Sequence, residues 1–502
     1  MKPARLYQFR ILLVYAVFAF FTSFTFCKAQ GNAYNPDDKY TVEQLKTDFT
    51  YFRAVLEKAH PSLYRYLPKD SADVYFNKVL AQITQPMTEL AFWELLQPTL
   101  SRLGSGHTSL SLSTAAFNYH NSYAHHYLPF YIFIRNNRIF IRTYTTLSNV
   151  SFDIGDEVLA IDNKSSAQIL QKLRSLIAGD GYTNCFKDSQ LEGEYFTRIF
   201  SLVYGEQQQY TITFNAAGVI KDKTLNSASV RYWAAPKTAE RGFSVSNGFN
   251  AFTNTGPVKP DSFYHKLTFP VNLPSTAVLK IIGFKYQDYE SFHRKVFKQL
   301  KKNQTQNLVI DLRDNNGGTD EICRDLLSYL SGNKTQLVSF CEGFVNFDRF
   351  VSLVSQYSPI NLSEIEHSFY QIKTSVSAMQ SPDANHFKGK LFILTNGGTY
   401  SAAALLAVAI KNQVDCTVIG QETGGGLAGT DGMRIPIVEL PETRLRLSLP
   451  LLWGYSMYKE KNEGHGLMPD IELIPNAQQI LDLEARGIDP LLLKVRALIG
   501  VK

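Results

Sequence analysis

Lys390-Leu391-Phe392-Ile393-Leu394-Thr395, running on through Asn396-Gly397-Gly398-Thr399-Tyr400 to Ser401-Ala402-Ala403-Ala404, is the stretch on which the reading of this chain turns. Its first six residues are apolar and bounded by turn formers, the pattern of a short strand buried on both faces. Two glycines then break the strand, and Ala402 to Ile410 is alanine-rich without Gly or Pro, so a helix begins there. A serine in the first turn of such a helix has its hydroxyl beside backbone N–H groups that lack an intrahelical acceptor. A nucleophile and part of an oxyanion hole then arise from one piece of geometry. The competing role for Ser401 is that of a helix N-cap, which serine fills far more often than it catalyses.

Two further stretches repeat the pattern. Asn307-Leu308-Val309-Ile310-Asp311-Leu312-Arg313 leads through Asp314-Asn315-Asn316 into Gly317-Gly318 and a helical run from Glu321 to Leu330. Downstream, Thr417-Val418-Ile419-Gly420-Gln421-Glu422-Thr423 empties into Gly424-Gly425-Gly426. Together with the strand Ser275–Phe284 and the helix Tyr289–Lys302, these imply an α/β layer structure built from parallel crossovers. In this order the set resembles the S41 peptidases, the family of C-terminal processing proteases and the tricorn core protease. The pieces that carry the resemblance are Asp311-Leu312-Arg313 with its following glycines, the Ser401-Ala402-Ala403 helix start, and Gly466-Leu467-Met468-Pro469-Asp470-Ile471. It implies a multidomain α/β protein whose catalytic domain, residues 258–475, has a ClpP/crotonase-like fold and is followed by a helical tail, 476–502.

The resemblance also implies roles. Many S41 proteases take their base from a lysine, but Gly426 stands at that place here. Tricorn-like members use a histidine from an N-terminal helical part, and His107 in Gly104-Ser105-Gly106-His107 is the matching position. The acid just before the closing segment corresponds to Glu463, giving the expected triad Ser401, His107 and Glu463, with Glu460 and Glu422 as the next acids to consider. The tricorn pattern places a serine directly before the histidine. Gly106 occupies that place, so a supporting hydroxyl has to come from Ser105, Thr108 or Ser109. The oxyanion donors expected are the N–H of Ala402 with one from Gly317 or Gly318, since glycine lets the backbone approach a tetrahedral intermediate closely. Asp311 and Arg313 are read as bracing the strand end. His465 is the runner-up base, and His60 is read as packing between helices.

Ahead of the catalytic part, Leu45, Phe49, Phe52, Leu56 and then Phe92, Leu95, Leu96, Leu100 and Leu103 recur at three- and four-residue steps, defining a helical domain over residues 36–125. Residues 126–230 alternate strands with a helix. Their Gly155-Asp156-Glu157-Val158-Leu159-Ala160-Ile161-Asp162-Asn163 resembles part of a PDZ domain, which S41 proteases commonly carry and which captures peptides at a sheet edge. The competing reading is a β-rich spacer that shapes the cleft. Asn215 to Ser262 is polar and reads as linker, and Phe344 to Asn385 as a lid or insert.

Residues 1–29 have a basic start, the apolar run Ile11–Phe21 and a small-residue end at Ala29, as in a secretory leader. Soluble export to the periplasm or outside is expected, with a lipid anchor at Cys27 as the alternative. The formal charge of +6 falls to +2 once Lys2, Arg5, Arg10 and Lys28 leave with no acid, which provides no nucleic-acid footprint. Cys185, Cys323, Cys341 and Cys416 show no metal-ligand spacing. The expected function is an exported serine endopeptidase acting on peptide or unfolded protein through an acyl-enzyme, with no metal and no cofactor. A catalytically inactive relative that only binds, or a hydrolase of non-peptide esters or amides, are the alternatives.

Overall fold

The computed structural model describes residues 34–144, 153–230, 264–343, 378–458 and 464–501, and residues 39–502 form one compact unit. The leader with Cys27, the polar stretch from 231 to 262, most of the 344–385 insert and both Glu460 and Glu463 lie outside the described residues. Among the described residues no helix is long and apolar enough to cross a membrane.

The N-terminal part is helical, as its periodicity predicts. Helix α1 (Val42–Ala59) opens on a reciprocal cap in which Thr41 Oγ1 accepts from Gln44 N–H and Gln44 Oε1 accepts from Thr41 N–H. It buries Leu45, Phe49, Phe52, Val55 and Leu56 against α2 (Lys69–Gln82). Helix α3 (Glu89–Leu103) ends on Gly104 at φ 73°, the left-handed cap that glycine adopts without strain. The chain then turns sharply into Ser105-Gly106-His107-Thr108 and the strand β1 (Ser109–Ser111). Strand β1 pairs with Arg446–Ser448, and the buried Asp48 of α1 accepts from the N–H groups of Glu442 and Thr443 and from the Thr443 hydroxyl. The N-terminal helices and the C-terminal part are thus joined by backbone pairing and by a satisfied buried carboxylate.

Five antiparallel strands follow: β2 (Phe130–Arg135), β3 (Arg138–Tyr144), β4 (Glu157–Ile161), β5 (Gln209–Ala216) and β6 (Val219–Asn226), in spatial order β6-β5-β4-β3-β2. The linker expected from Asn215 is corrected at its start, because β5 and β6 form a hairpin through Ala217 and Gly218, both at positive φ. The composition misled because β6 is an exposed edge strand whose side chains face water on most positions. The other edge, β2, is covered by its own chain: Gly193 N–H donates to Ile132 O, and Glu192 Oε1 accepts from Ile134 N–H.

The C-terminal part is built on a six-stranded sheet: β7 (His265–Thr268), β8 (Thr276–Ile281), β9 (Asn307–Asp311), β10 (Lys390–Thr395), β11 (Cys416–Gly420) and Ile471–Glu472. From β8 onward the pairing is parallel. Every residue of β9 is buried, as a near-continuous apolar run in a parallel sheet requires. Helix α4 (Ala402–Gln413) is buried on all sides from Ala402 to Ile410, so it is a core helix and not an amphipathic surface one. The opposite face of the sheet is covered by the C-terminal helix α5 (Pro490–Leu498), whose Leu491 and Val495 pack with Val278, Val309, Phe392, Leu394 and Ile419. The carboxyl ends of β9, β10 and β11 converge, and their glycine-rich turns form the floor of the site, where ligands of parallel α/β sheets commonly bind.

Candidate active site

Ser401 has φ 54° and ψ −128°, an uncommon conformation for a residue with a Cβ and one held by its surroundings. Its side chain makes no capping hydrogen bond. Instead Ser401 Oγ lies 3.1 Å from His107 Nε2, so the N-cap bond is replaced by a hydrogen bond to an imidazole. His107 Nδ1 in turn lies 3.0 Å from Asp431 Oδ1. With its proton on Nδ1 toward the carboxylate, the neutral ring presents a lone pair to the serine, the polarity a general base needs.

Asp431 follows the short strand Gly429–Thr430 and is fully buried. Its other oxygen, Oδ2, accepts from Ser105 Oγ at 2.5 Å and from Ser62 Oγ at 3.4 Å. The serine missing directly before the histidine is therefore replaced by the one a residue earlier. Gly106 has no room for a side chain: a Cβ there would fall 2.1 Å from the Tyr400 hydroxyl.

A second buried acid, Asp180, ties the loops together. It accepts from Gly106 N–H at 2.8 Å, Gly426 N–H at 3.1 Å and the Tyr400 hydroxyl at 3.1 Å. Gly426, where a catalytic lysine would stand, thus contributes a backbone donor. The Tyr400 ring lies between His107, at 4.9 Å between centroids, and Phe186, at 3.9 Å. Because its one proton goes to Asp180, the Tyr400 oxygen, 3.2 Å from His107 Nδ1, acts there as a second acceptor.

The electrostatics follow from this burial. Desolvation opposes charging of His107, but the hydrogen bond and charge of Asp431 and the charge of Asp180 outweigh it and raise its pKa above the ordinary value. Burial pushes Asp431 up, yet the hydrogen bond and charge of His107 and the Ser105 donor hold it below the usual carboxylate range. Asp180 is raised to about 6 by burial and by the charge of Asp431.

Of the N–H groups expected as oxyanion donors, those of Ala402 and Gly318 have no acceptor among the described residues. Gly317 N–H does: it donates to Asn315 Oδ1 at 2.9 Å, so Gly317 is corrected from donor to spacer. A Cβ on Gly317 would lie 2.8 Å from Ser401 Cβ and 2.9 Å from Ala402 N, which shows how closely this turn approaches Ser401.

The acid expected at Glu463 lies outside the described residues, and the carboxylate on His107 Nδ1 is that of Asp431, which sequence reasoning missed. Its only local signal is an aspartate between two glycines, Gly429-Thr430-Asp431-Gly432, after the glycine run of β11; its partner is 324 residues away. His465 is half exposed and sits 3.2 Å from Glu422 Oε1, which also accepts from Gly466 N–H, so this pair is engaged with itself. Arg313 braces: it is buried between Asp311, at 2.7 Å, and Asp489 at the start of α5, at 2.6 Å. His107, Asp180 and Asp431 each place a ligand atom within 4.8 Å of the others, the spacing of a metal site. Those atoms are already committed to one another's protons and to N–H and O–H donors, an arrangement suited to proton transfer and not to a cation.

Residues 275–473 match the sequence profile of peptidase family S41. Among solved structures, the chain is similar to mature CPAF complexed with lactacystin, at 16% identity and a TM-score of 0.64, covering 91% of this chain and 98% of that one. The s499a mutant of CPAF aligns at 16% identity and a TM-score of 0.63, covering 91% and 96%. At this identity the likeness is one of fold. The photosystem II D1 C-terminal processing protease aligns at 14% identity over 86% of this chain and 94% of that one, with a TM-score of 0.42.

Proposed function

We propose that the chain, whose residues 275–473 match the profile of peptidase family S41, is a serine-type peptidase that cleaves peptide bonds through an acyl-enzyme on Ser401. The observation that carries the proposal is the unbroken line from Ser401 Oγ through His107 to Asp431, at 3.1 Å and 3.0 Å. His107 Nε2 takes the hydroxyl proton as Oγ attacks the scissile carbonyl carbon. The resulting oxyanion is met by the N–H groups of Ala402 and Gly318. His107 then passes the proton to the leaving amine, and water, activated by the same nitrogen, releases the acid and restores the serine. Asp431 stays ionised throughout, fixing the tautomer and stabilising the imidazolium.

Asp431 takes the role that the family resemblance assigns to Glu463. The presence of nucleophile, base and acid in register favours an enzyme over a binding protein that has lost its chemistry. Residues 126–230 have their β2 edge occupied by Glu192 and Gly193 and their β6 edge exposed, so a PDZ-like peptide site is confined to β6 and the alternative is a spacer that shapes the cleft. Residues 1–29 are assigned as an export leader, a reading checked by the N-terminus of the mature protein.

The deciding experiment is labelling with a fluorophosphonate probe. Wild type is expected to be modified on Ser401, and Ser401→Ala to be unmodified while folded. Labelling that persists in Ser401→Ala rejects the nucleophile.

A further inference from the structure

Behind the acid lies a second histidine that the reaction as described does not use. His60 follows α1, and its side chain is completely buried. Its Nδ1 accepts the Ser62 N–H at 3.1 Å, so in the neutral ring the proton is on Nε2. Nε2 lies 2.7 Å from Thr108 Oγ1 and 3.2 Å from Ser105 Oγ. Ser105 Oγ is 2.5 Å from Thr108 Oγ1 and 2.5 Å from Asp431 Oδ2.

The direction of every bond in this group is forced. Each hydroxyl owns one proton, and an ionised carboxylate only accepts. The Ser105 proton therefore goes to Asp431, the Thr108 proton to Ser105, and Thr108 accepts from His60 Nε2–H. On the other side of Asp431, His107 Nδ1–H donates to Oδ1 and Nε2 faces the serine. Burial drops the His60 pKa to about 4 although the charge of Asp431 opposes this. The 3.8 Å approach of His60 Nε2 to Asp431 Oδ2 is accordingly not an ion pair at neutral pH.

We propose that His60 is a positioning residue for the peptidase reaction: through Thr108 and Ser105 it holds one oxygen of Asp431, leaving the other aimed at His107. The proposal rests on the Ser401–His107–Asp431 reading. It gives a role to His60, beside Ser62, whose hydroxyl also reaches Asp431 Oδ2, and it explains why Ser105 and Thr108 flank the base. The charged and titratable groups around the line are Asp431, Asp180 and Tyr400 on the side of His107, and Glu57, Tyr64 and Arg65 lining the cavity beside His60.

The test measures the rate of fluorophosphonate labelling against pH in the full mature chain. His60→Phe removes the donor, Thr108→Val removes the hydroxyl at nearly constant volume, and His60→Gln keeps an amide donor near the Nε2 position. His60→Phe and Thr108→Val are each expected to label about threefold to tenfold more slowly on the pH plateau, the weight of one hydrogen bond. Their acidic limb should move to higher pH, because a carboxylate with a weakened donor is a stronger partner for the imidazolium. The double variant should be no slower than either single one, since both break the same line. His60→Gln should recover most of the rate. Should His60→Phe not fold, Thr108→Val alone decides. Folded variants that label at the wild-type rate with an unmoved limb, or losses that add in the double variant, overturn the role of His60. A wild-type protein that is not labelled on Ser401 overturns the triad itself, and the His60 role with it.

Discussion

The two sides of the proposed active site are held by different physics. Ser401, Ala402 and Gly318 stand at the ends of buried parallel strands and on a helix submerged in the core, where apolar burial fixes the backbone. His107 and Asp431 stand on loops, and what fixes them is a set of hydrogen bonds among buried polar groups: Asp180 to Gly106 and Gly426, Ser105 to Asp431, His60 to Thr108. The sheet side draws on many small contacts and is tolerant of any one being lost. The loop side draws on a few directional bonds in a low-dielectric setting, where one unpaired group costs more than a neutral bond contributes. Stability and chemistry should therefore separate between the two sides under mutation.

The largest expected effect lies on the sheet side and is purely chemical. Ser401→Ala should abolish acylation and peptide cleavage with no loss of thermal stability, because one hydroxyl leaves without disturbing a packed contact. On the loop side, Asp431→Asn preserves shape and removes the charge, and turnover should fall by about 10⁴-fold, as for triad acids elsewhere. Glu463→Gln in the same assay is expected to cost far less, and the reverse ranking would return the acid to Glu463. The acid limb checks the same assignment. Because Asp431 and Asp180 favour the imidazolium, activity should rise with pH through a transition above the ordinary histidine value of about 6.5. A transition below that value would contradict the surroundings drawn for His107.

Arg313→Met sharpens the contrast from the opposite direction. Among the described residues it leaves buried Asp311 with only Lys280 as a cation, at 3.7 Å, and buried Asp489 with only its helix-capping N–H donors, and about 3–5 kcal/mol of stability should be lost in denaturant unfolding. The labelling rate of the molecules that remain folded should not change. An effect on rate as large as on stability would show that the strand end reaches the chemistry.

The smallest effect expected is a pH dependence of stability. The His60 pKa is lowered in the folded protein, so the unfolded chain binds its proton first as pH falls. The folded state then loses stability between about 6.5 and about 4, by at most about 3 kcal/mol. His60→Gln lacks that titration. The stability gap between wild type and His60→Gln should narrow in wild type's disfavour over that window, as followed by urea unfolding at each pH, and a constant gap would mean that His60 is not neutral in the fold.

What the sequence by itself determined is the sheet side. A buried strand, a pair of glycines and an alanine-rich helix are local patterns, because burial on both faces and the start of a helix leave their mark within a dozen residues. The strand ends, Ser401 at the helix start, the Ala402 and glycine N–H groups proposed as oxyanion donors, with Gly317 and Gly318 left open, and the bracing role of Asp311 and Arg313 are read from such local patterns. His107 was legible only through its glycine setting and a family resemblance. The loop side was decided by tertiary structure: Asp431 and His107 are 324 residues apart, and Asp180 and Tyr400 are 220 apart. Nothing local marks such partners, since a carboxylate destined for a buried histidine looks in sequence like one destined for water. The same holds for Gly317, whose N–H is taken by Asn315, and for the polar strand β6, read as a linker because its partner β5 was not visible from composition. Apolar burial is written along the chain as periodicity. Hydrogen-bond partnership between distant loops is written only in three dimensions, because its energy depends on which groups have lost their water together.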